Sequence, residues 1–437
     1  MTDAKASTRV RSIQRAALLM LMLSGSINTI DRATLAVANP LIRQDLHLSI
    51  AQMGLLLSAF LWAYAFAQLP TGALIDRLGP RRLLTIGIAV WSSAQLVCGL
   101  VTNVAQFAAA RVLLGIGEAP NFPTGGRVVR DWFNPRTRGT ATGIFNCASY
   151  VGTGVAAPLL TFLMLTLGWR WMFAIMGILG ILVAVLWGAF YRDPSQVPLS
   201  DEENNYRTDG DAAELTRTVT FDQWRRLFRC RTTWGMIFGY FGVIYVNWVF
   251  NAWLPGYLEI DRHMSIQKTG YVAALPYVFA VAGALFGGWL ADHMMARGLS
   301  RVASRQVPLC VAMAINAVLV VAVATVASNT LAVTFLCGSM FCGTVATTCA
   351  WAMVSVVAPS NCTGSLGSMQ NFGGYLGGAL APTVTGFIVQ DSGSFMPALI
   401  VAAAMCVFSA VAFSTIRAPI TSADLLARRI DAVPRHV

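Results

Sequence analysis

Charge is scarce in this sequence. Only 12% of its 437 residues are Asp, Glu, Lys or Arg, against roughly 25% in soluble domains. A chain so poor in charge does not cover a water-exposed surface of its own size, so composition excludes a soluble enzyme. Histidine is scarcer still, with 4 residues. The 9 cysteines include no CxxC pair and no Cys/His cluster, which argues against zinc and thiol redox chemistry. Cys98, Cys147, Cys310, Cys337, Cys342, Cys349 and Cys406 lie inside apolar runs, where they act as small hydrophobes. No hydrolase or nucleotide-binding motif is present. No enzymatic activity, metal or cofactor is expected.

Apolar residues fill the space that charge leaves. They make up 56% of the chain, and the mean hydropathy is +0.61. A bilayer core needs roughly 20 apolar residues per helix, so about twelve helices fit this length. The net charge of +11 could point to nucleic acid, but the arginines sit in short loops beside apolar runs, which is a topology signal. The expected partners are a lipid bilayer and a small solute, with no nucleic acid.

The basic N-terminus (Lys5, Arg9, Arg11, Arg15) resembles a signal peptide. The run behind it is too long, carries Asp31 and Arg32, and has no clear cleavage site. It is read as an uncleaved first helix over 16–38, ended by Asn39-Pro40. Apolar runs follow at 50–74, 83–102, 105–127, 139–165 and 171–191. A polar stretch at 192–231 holds Asp201, Glu202, Glu203, Asp209 and Asp211, then Arg225, Arg226, Arg229 and Arg231. Six more runs lie at 232–255, 269–291, 307–327, 330–357, 363–390 and 396–416. The reading is an all-α membrane protein of twelve transmembrane helices: an N-terminal six-helix bundle over 1–191, a linker over 192–231, and a C-terminal six-helix bundle with a tail over 232–437.

Loop charge sets the orientation. Arginines cluster in loops 75–82 (Arg77, Arg81, Arg82), 127–138 (Arg127, Arg130, Arg136, Arg138) and 292–305 (Arg297, Arg301, Arg305), with Arg417, Arg428, Arg429 and Arg435 in the tail. The intervening loops 102–106 and 328–330 carry no charge. The positive-inside rule puts both termini and the linker in the cytoplasm. The halves also repeat: Gly72-Ala-Leu-Ile-Asp76-Arg77-Leu-Gly79-Pro-Arg81-Arg82 ends the second run, and Gly287-Gly-Trp-Leu-Ala-Asp292-His293 ends the eighth. An Asp beside an Arg can simply cap a helix, but two such segments at matching places indicate duplicated halves, the construction of many transporters.

The first segment resembles the GxLxDRxGxRR loop motif of the major facilitator superfamily. Nearly the whole chain resembles one branch of it, the anion:cation symporters. The resemblance is carried by Asn28-Thr-Ile-Asp31-Arg32-Ala-Thr-Leu, by Arg111 with Glu118-Ala-Pro120-Asn-Phe-Pro123 and Trp132-Phe133, by Trp253-Leu-Pro255-Gly-Tyr257-Leu, and by Gly364, Gly373, Ala381-Pro382 and Gly386. Bacterial members carry galactonate, glucarate, galactarate, hexuronates, tartrate or phthalate. The resemblance implies the major facilitator fold of two pseudo-symmetric bundles. It also implies a proton-coupled, monomeric importer of small organic anions in a bacterial inner membrane.

Four charges sit deep in apolar runs: Asp31, Arg32, Arg111 and Glu118. Such charges are costly in hydrocarbon and mark ion or substrate pathways; the plainer alternative is a structural salt bridge. Residues 111 and 118 are seven apart, hence on one helix face at roughly 10 Å. Asp31 and Arg32 diverge by about 100°, so Arg32 can face a central cavity while Asp31 faces a neighbouring helix. The resemblance assigns proton carriage to Glu118 and Asp31, tuning of these acids to Arg111, and substrate carboxylate binding to Arg32. It adds Tyr64, Ser149, Tyr240, Thr348, Asn371 and Tyr375 as cavity positions, and Gly72, Asp76, Arg77, Gly79, Arg81 and Asp292 as the conformational loop motif. Gly115, Gly117, Pro120, Pro123, Gly125 and Gly126 suggest close packing or a hinge.

The chain departs from the sugar-acid members in that Ser149, Tyr240, Ile244 and Tyr375 stand where those members commonly carry amides. Sites built for hydroxyls discriminate through such hydrogen bonds, so a less hydroxylated, even aromatic, carboxylate is expected. Two other functions share these features: a drug:proton antiporter, which needs no anion ligand and is disfavoured by Arg32 and Arg111, and a non-transporting sensor, which normally adds a signalling domain.

Overall fold

The computed structural model describes residues 7–134, 137–208, 221–358 and 362–421. Lys5, Arg136, Asp209, Asp211, Arg428, Arg429 and Arg435 lie outside the described residues, as do the side-chain positions of Gly72, Asp76, Arg138 and Cys147.

The described residues form α-helices with one short 3-10 turn, Pro194–Gln196, and no strand among them. Polar residues at the loop ends start several helices. Ser7 accepts from the Val10 N–H to start α1 (Thr8–Asp45). Ser49 and Gln52 form a capping box for α2 (Ile50–Cys98), and Asn103 accepts from the Gln106 N–H to start α3 (Val104–Glu118). These oxygens satisfy amides that a first turn leaves without partners. The N-terminal half continues with α4 (Asn121–Trp132), α5 (Arg138–Leu167) and α6 (Trp169–Phe190). Between the halves lie two short helices, α7 (Asp201–Thr208) and α8 (Phe221–Leu227). The C-terminal half contains α9 (Arg231–Ile260), α10 (Ile266–Val272), α11 (Leu275–Ala296), α12 (Ala303–Thr325), α13 (Asn329–Val357), α14 (Thr363–Ser392) and α15 (Met396–Ser414).

Apart from α7 and α8, the described helices make twelve rods. Helix α2 supplies two, bent at Gly79, whose φ of 75° leaves the helical region. Helices α3 and α4 share one rod, and so do α10 and α11. Nine of the described helical stretches are long and apolar enough to cross a membrane. Their outward residues include Leu69, Phe190, Leu285 and Val318, all exposed. So much exposed apolar surface is explained by lipid as the solvent.

Among the boundaries that differ from the sequence reading, two bear on the charged helices. The first helix does not stop at Asn39-Pro40; α1 runs on through Pro40 to Asp45. A proline is tolerated inside a membrane helix where neighbouring helices cover the freed backbone, and Asn39 beside it is fully buried, against Gly256 of α9. The fourth run is divided at Ala119–Pro120 rather than continuous, and Glu118 is the last residue before the break.

Within each half the helices pack on one another, α2 against α3 and α6, α1 against α5, and in the second half α9 against α14 and α13 against α11 and α12. Glycine permits the closest crossings: a Cβ on Gly117 would stand 2.6 Å from the Trp91 nitrogen. The halves meet mainly along α2 and α14. At the end away from the termini this contact is tight. Ser58 and Thr383 share a 2.7 Å hydrogen bond, the Ala51 N–H donates to Gln390 at 3.0 Å, and a Cβ on Gly54 would stand 2.6 Å from the Pro382 carbonyl oxygen. On the same side, Gly270 of α10 abuts Thr161 of α5. This end of the molecule is sealed.

Candidate substrate and coupling site

Helix α1 carries two charges on diverging faces. Asp31 is fully buried, and its carboxylate oxygens meet no hydrogen-bond partner; Glu118 and Arg111 of α3 and Trp91 of α2 are its polar neighbours. Arg32 is only partly covered and lines a cavity between the two halves. Its Nε donates to Oε2 of Glu118 at 2.7 Å, with Glu118 fully buried. Arg111 is 2% exposed, and neither its Nε nor the adjacent terminal nitrogen Nη1 has a partner.

The ion pair to Glu118 comes from Arg32; Arg111, to which the resemblance assigns tuning of the acids, stands near both Asp31 and Glu118 without an ion pair to either. Helix geometry gives the reason. Arg111 and Glu118 stand two turns apart on one helix, about 10 Å, while α1 brings Arg32 in from the side. Phe60 of α2 lies between the two bases: the Arg32 guanidinium is 5.3 Å and the Arg111 guanidinium 5.1 Å from its ring centroid. Tyr64 stacks closer to Arg32, at 4.7 Å, and Phe122 closes the cluster at 6.0 Å. Aromatic faces attract a desolvated cation without consuming its N–H donors. Arg32 consequently keeps one terminal nitrogen, Nη2, buried and without a partner.

The cavity has a volume of about 180 Å³. That is smaller than the roughly 300 Å³ at which pockets for drug-sized ligands begin. From the N-terminal half come Arg32, Thr29 and Thr153; from the C-terminal half come Trp248, Asn251 and Tyr277. The last three were not singled out from the sequence.

Of the sequence-predicted cavity residues, Arg32 alone lines this space. Tyr64 and Tyr375 adjoin it through Arg32, with ring centroids 4.8 Å apart across the α2–α14 seam. Nearby, Asn371 donates to Gln68 at 3.5 Å. Tyr240 accepts from the Trp351 indole at 2.8 Å, and its ring, with Ile244, covers Gly374. The Ser149 hydroxyl is buried and has no partner. The Thr348 methyl approaches Gly288 of α11. Ser149, Tyr240, Thr348 and Asn371 are not among the described residues that line this cavity.

The loop motif lies at the end that bears the termini. Gly79 provides the left-handed turn, and a Cβ there would stand 2.9 Å from Asp193 Oδ2. Asp193 accepts the Arg81 backbone N–H at 3.2 Å, and the Arg81 side chain donates to the Gly188 carbonyl. Burial pushes the Asp193 carboxyl above its usual range, against the opposing Arg81 N–H. Arg77 is exposed. Asp292 pairs loosely with Arg305, at 3.7 Å. Gly115, Gly117 and Gly125 serve close packing, whereas nothing stands within 4 Å of a Cβ on Gly126.

Comparison with known proteins places this geometry. Residues 21–382 match the profile of the Major Facilitator Superfamily. A probable L-galactonate transporter of Escherichia coli strain K12 is 40% identical, over 93% of this chain and 90% of that protein. The D-galactonate transporter of Escherichia coli O6:H1 is 32% identical, over 91% and 94%. The hexuronate transporter of Bacillus subtilis strain 168 is 29% identical, over 90% and 92%. Among solved structures, a bacterial homologue of the human lysosomal transporter Spinster, inward-facing and occupied, superposes with a TM-score of 0.73 at 21% identity, over 94% of this chain and 97% of that one. A D-xylose–proton symporter gives 0.69 at 16% identity, over 91% and 96%.

Proposed function

Because the chain belongs to the major facilitator superfamily, we propose that it is a proton-coupled symporter importing a small organic anion by alternating access. It works as a monomer in the bacterial inner membrane, with both termini and the linker cytoplasmic and the sealed end facing the periplasm. The loop arginines support that orientation, and the site supports the coupling.

One observation carries this reading. Arg32 is bonded to Glu118 at 2.7 Å and also lines the cavity, and one of its terminal nitrogens is buried without a partner. Arginine presents a planar fork that matches a carboxylate. A substrate carboxylate docking on Arg32 competes with Glu118 for the same charge. Glu118, deprived of its partner in a dry site, then takes a proton, since an isolated buried carboxylate is costly. Substrate and proton enter together, and release of the anion returns Arg32 to Glu118 and expels the proton. An antiporter of cationic drugs has no use for an arginine at the cavity wall.

The relatives' names support a hydroxylated acid of the galactonate kind over the lightly hydroxylated carboxylate that the departures at Ser149, Tyr240, Ile244 and Tyr375 suggest. Ser149, Tyr240, Ile244 and Tyr375 are not among the residues that line this cavity, which agrees with the reading from the relatives' names. The test is uptake of labelled D- and L-galactonate by proteoliposomes. Accumulation above the external concentration under an acid-outside gradient, collapsed by a protonophore, is the expected result. Uptake indifferent to both treatments indicates a uniporter or exchanger, and no uptake of any carboxylate rejects the reading.

A further inference from the structure

The wall of the cavity opposite Arg32 is built for a different chemistry. Asn251 on α9 and Tyr277 on α11 meet across two helices, the Tyr277 hydroxyl donating to Asn251 Oδ1 at 3.0 Å. The Asn251 amide also donates one N–H to the Asn247 carbonyl at 2.9 Å. An amide carries two N–H groups and a phenolic oxygen both donates and accepts. After these two bonds the pair retains one N–H on Asn251 and the acceptor lone pairs on Tyr277. A hydroxyl group, which donates and accepts at once, satisfies both; a carboxylate, which only accepts, does not.

The helix carrying Tyr277 is broken at this level. Helix α10 ends at Val272 and α11 begins at Leu275, with Pro276 in its first turn. Ala273 in the break lines the cavity. Interrupted helices are a recurrent way to bring polar groups to a solute. The facing threonines differ in kind: Thr29 and Thr153 donate their hydroxyls to their own helix, to the carbonyls of Gly25 and Ser149. They turn only acceptors to the cavity. Trp248 also lines the cavity, and its indole offers a flat apolar surface suited to the C–H face of a polyol.

We propose that Asn251 and Tyr277 are specificity-determining residues that recognise a hydroxyl on the anion's tail, with Trp248 as its platform. The site therefore takes a polyhydroxy monocarboxylate with its carboxylate on Arg32. This rests on the anion-import reading and deepens it. The two ends make separable contributions: Arg32 binds any small carboxylate, and the pair distinguishes hydroxylated acids from plain ones.

The test is calorimetric binding of D- and L-galactonate, and of each monodeoxy galactonate, to purified wild type, Tyr277→Phe, Asn251→Leu and Arg32→Lys, with thermal unfolding as the check on folding. Tyr277→Phe removes one oxygen and keeps the ring. Tyr277→Phe and Asn251→Leu are expected to weaken the preferred galactonate about tenfold, the effect of one lost hydrogen bond in a closed site. The deoxy acid lacking the recognised hydroxyl should bind wild type and both variants alike. Arg32→Lys should weaken every acid by a similar factor. Equal binding of galactonate to wild type and Tyr277→Phe, or equal loss of all deoxy acids in the variants, overturns the proposal. Arg32-dependent binding of unhydroxylated carboxylates only overturns the subsite and leaves the import reading standing. No binding of any acid overturns both.

Discussion

Arg32 stands between two anions, one built into the protein and one arriving from the cavity. Its setting against Phe60, Tyr64 and Phe122 fixes the guanidinium plane without using its donors, so the fork is preorganised. A lysine in its place presents a compact, strongly hydrated charge that serves Glu118 or the substrate but not both in the same geometry. Arg32→Lys is expected to weaken carboxylate binding at least about tenfold, the loss of one charge-assisted hydrogen bond, measured by calorimetry on the purified variant. Near-normal affinity removes Arg32 from the binding site.

At the scale of helices, the close approach of α2 and α14 at the sealed end depends on what is missing from Gly54. A side chain there meets the Pro382 carbonyl oxygen at 2.6 Å and Gly386 at 3.2 Å. These are backbone atoms, so they do not move aside as a flexible side chain does. Gly54→Leu should hold that end apart. Transport should be lost while the protein still folds, and a thiol introduced by Ser58→Cys, at a position buried in this state, should react with maleimide faster in the Gly54→Leu background. Unchanged labelling together with normal transport contradicts the assignment of this contact as the seal. Elements such as these were only partly legible in the sequence. The twelve apolar runs are visible because each span must be long and uncharged. The continuation of α1 past Pro40 and the break at Ala119–Pro120 are not, because in a membrane a proline permits either outcome and neighbouring helices decide.

For the whole molecule, composition was enough to read an all-helical membrane fold, and of the four charges within apolar runs Asp31, Arg111 and Glu118 are buried and Arg32 is paired with Glu118. The rest of the site stayed hidden for a physical reason. In water a helix declares its buried face by amphipathicity; in lipid both faces are apolar, so Asn251, Trp248 and Tyr277 carry no sign in the sequence of which way they point. Which base pairs with Glu118 was hidden as well, since that depends on how α1 crosses α3. The central claim is that the Arg32–Glu118 pair couples substrate to proton, and Glu118→Gln tests it most directly, because glutamine keeps the shape of the protonated acid. The measurement is made in proteoliposomes on one preparation, comparing exchange of labelled for unlabelled substrate with uphill accumulation under an acid-outside gradient. The account predicts that exchange persists, since the loaded carrier still reorients, and that accumulation is lost, since no proton can leave to reset the empty carrier. A folded Glu118→Gln protein that still accumulates substrate with normal proton dependence would contradict it and leave Asp31 as the coupling acid.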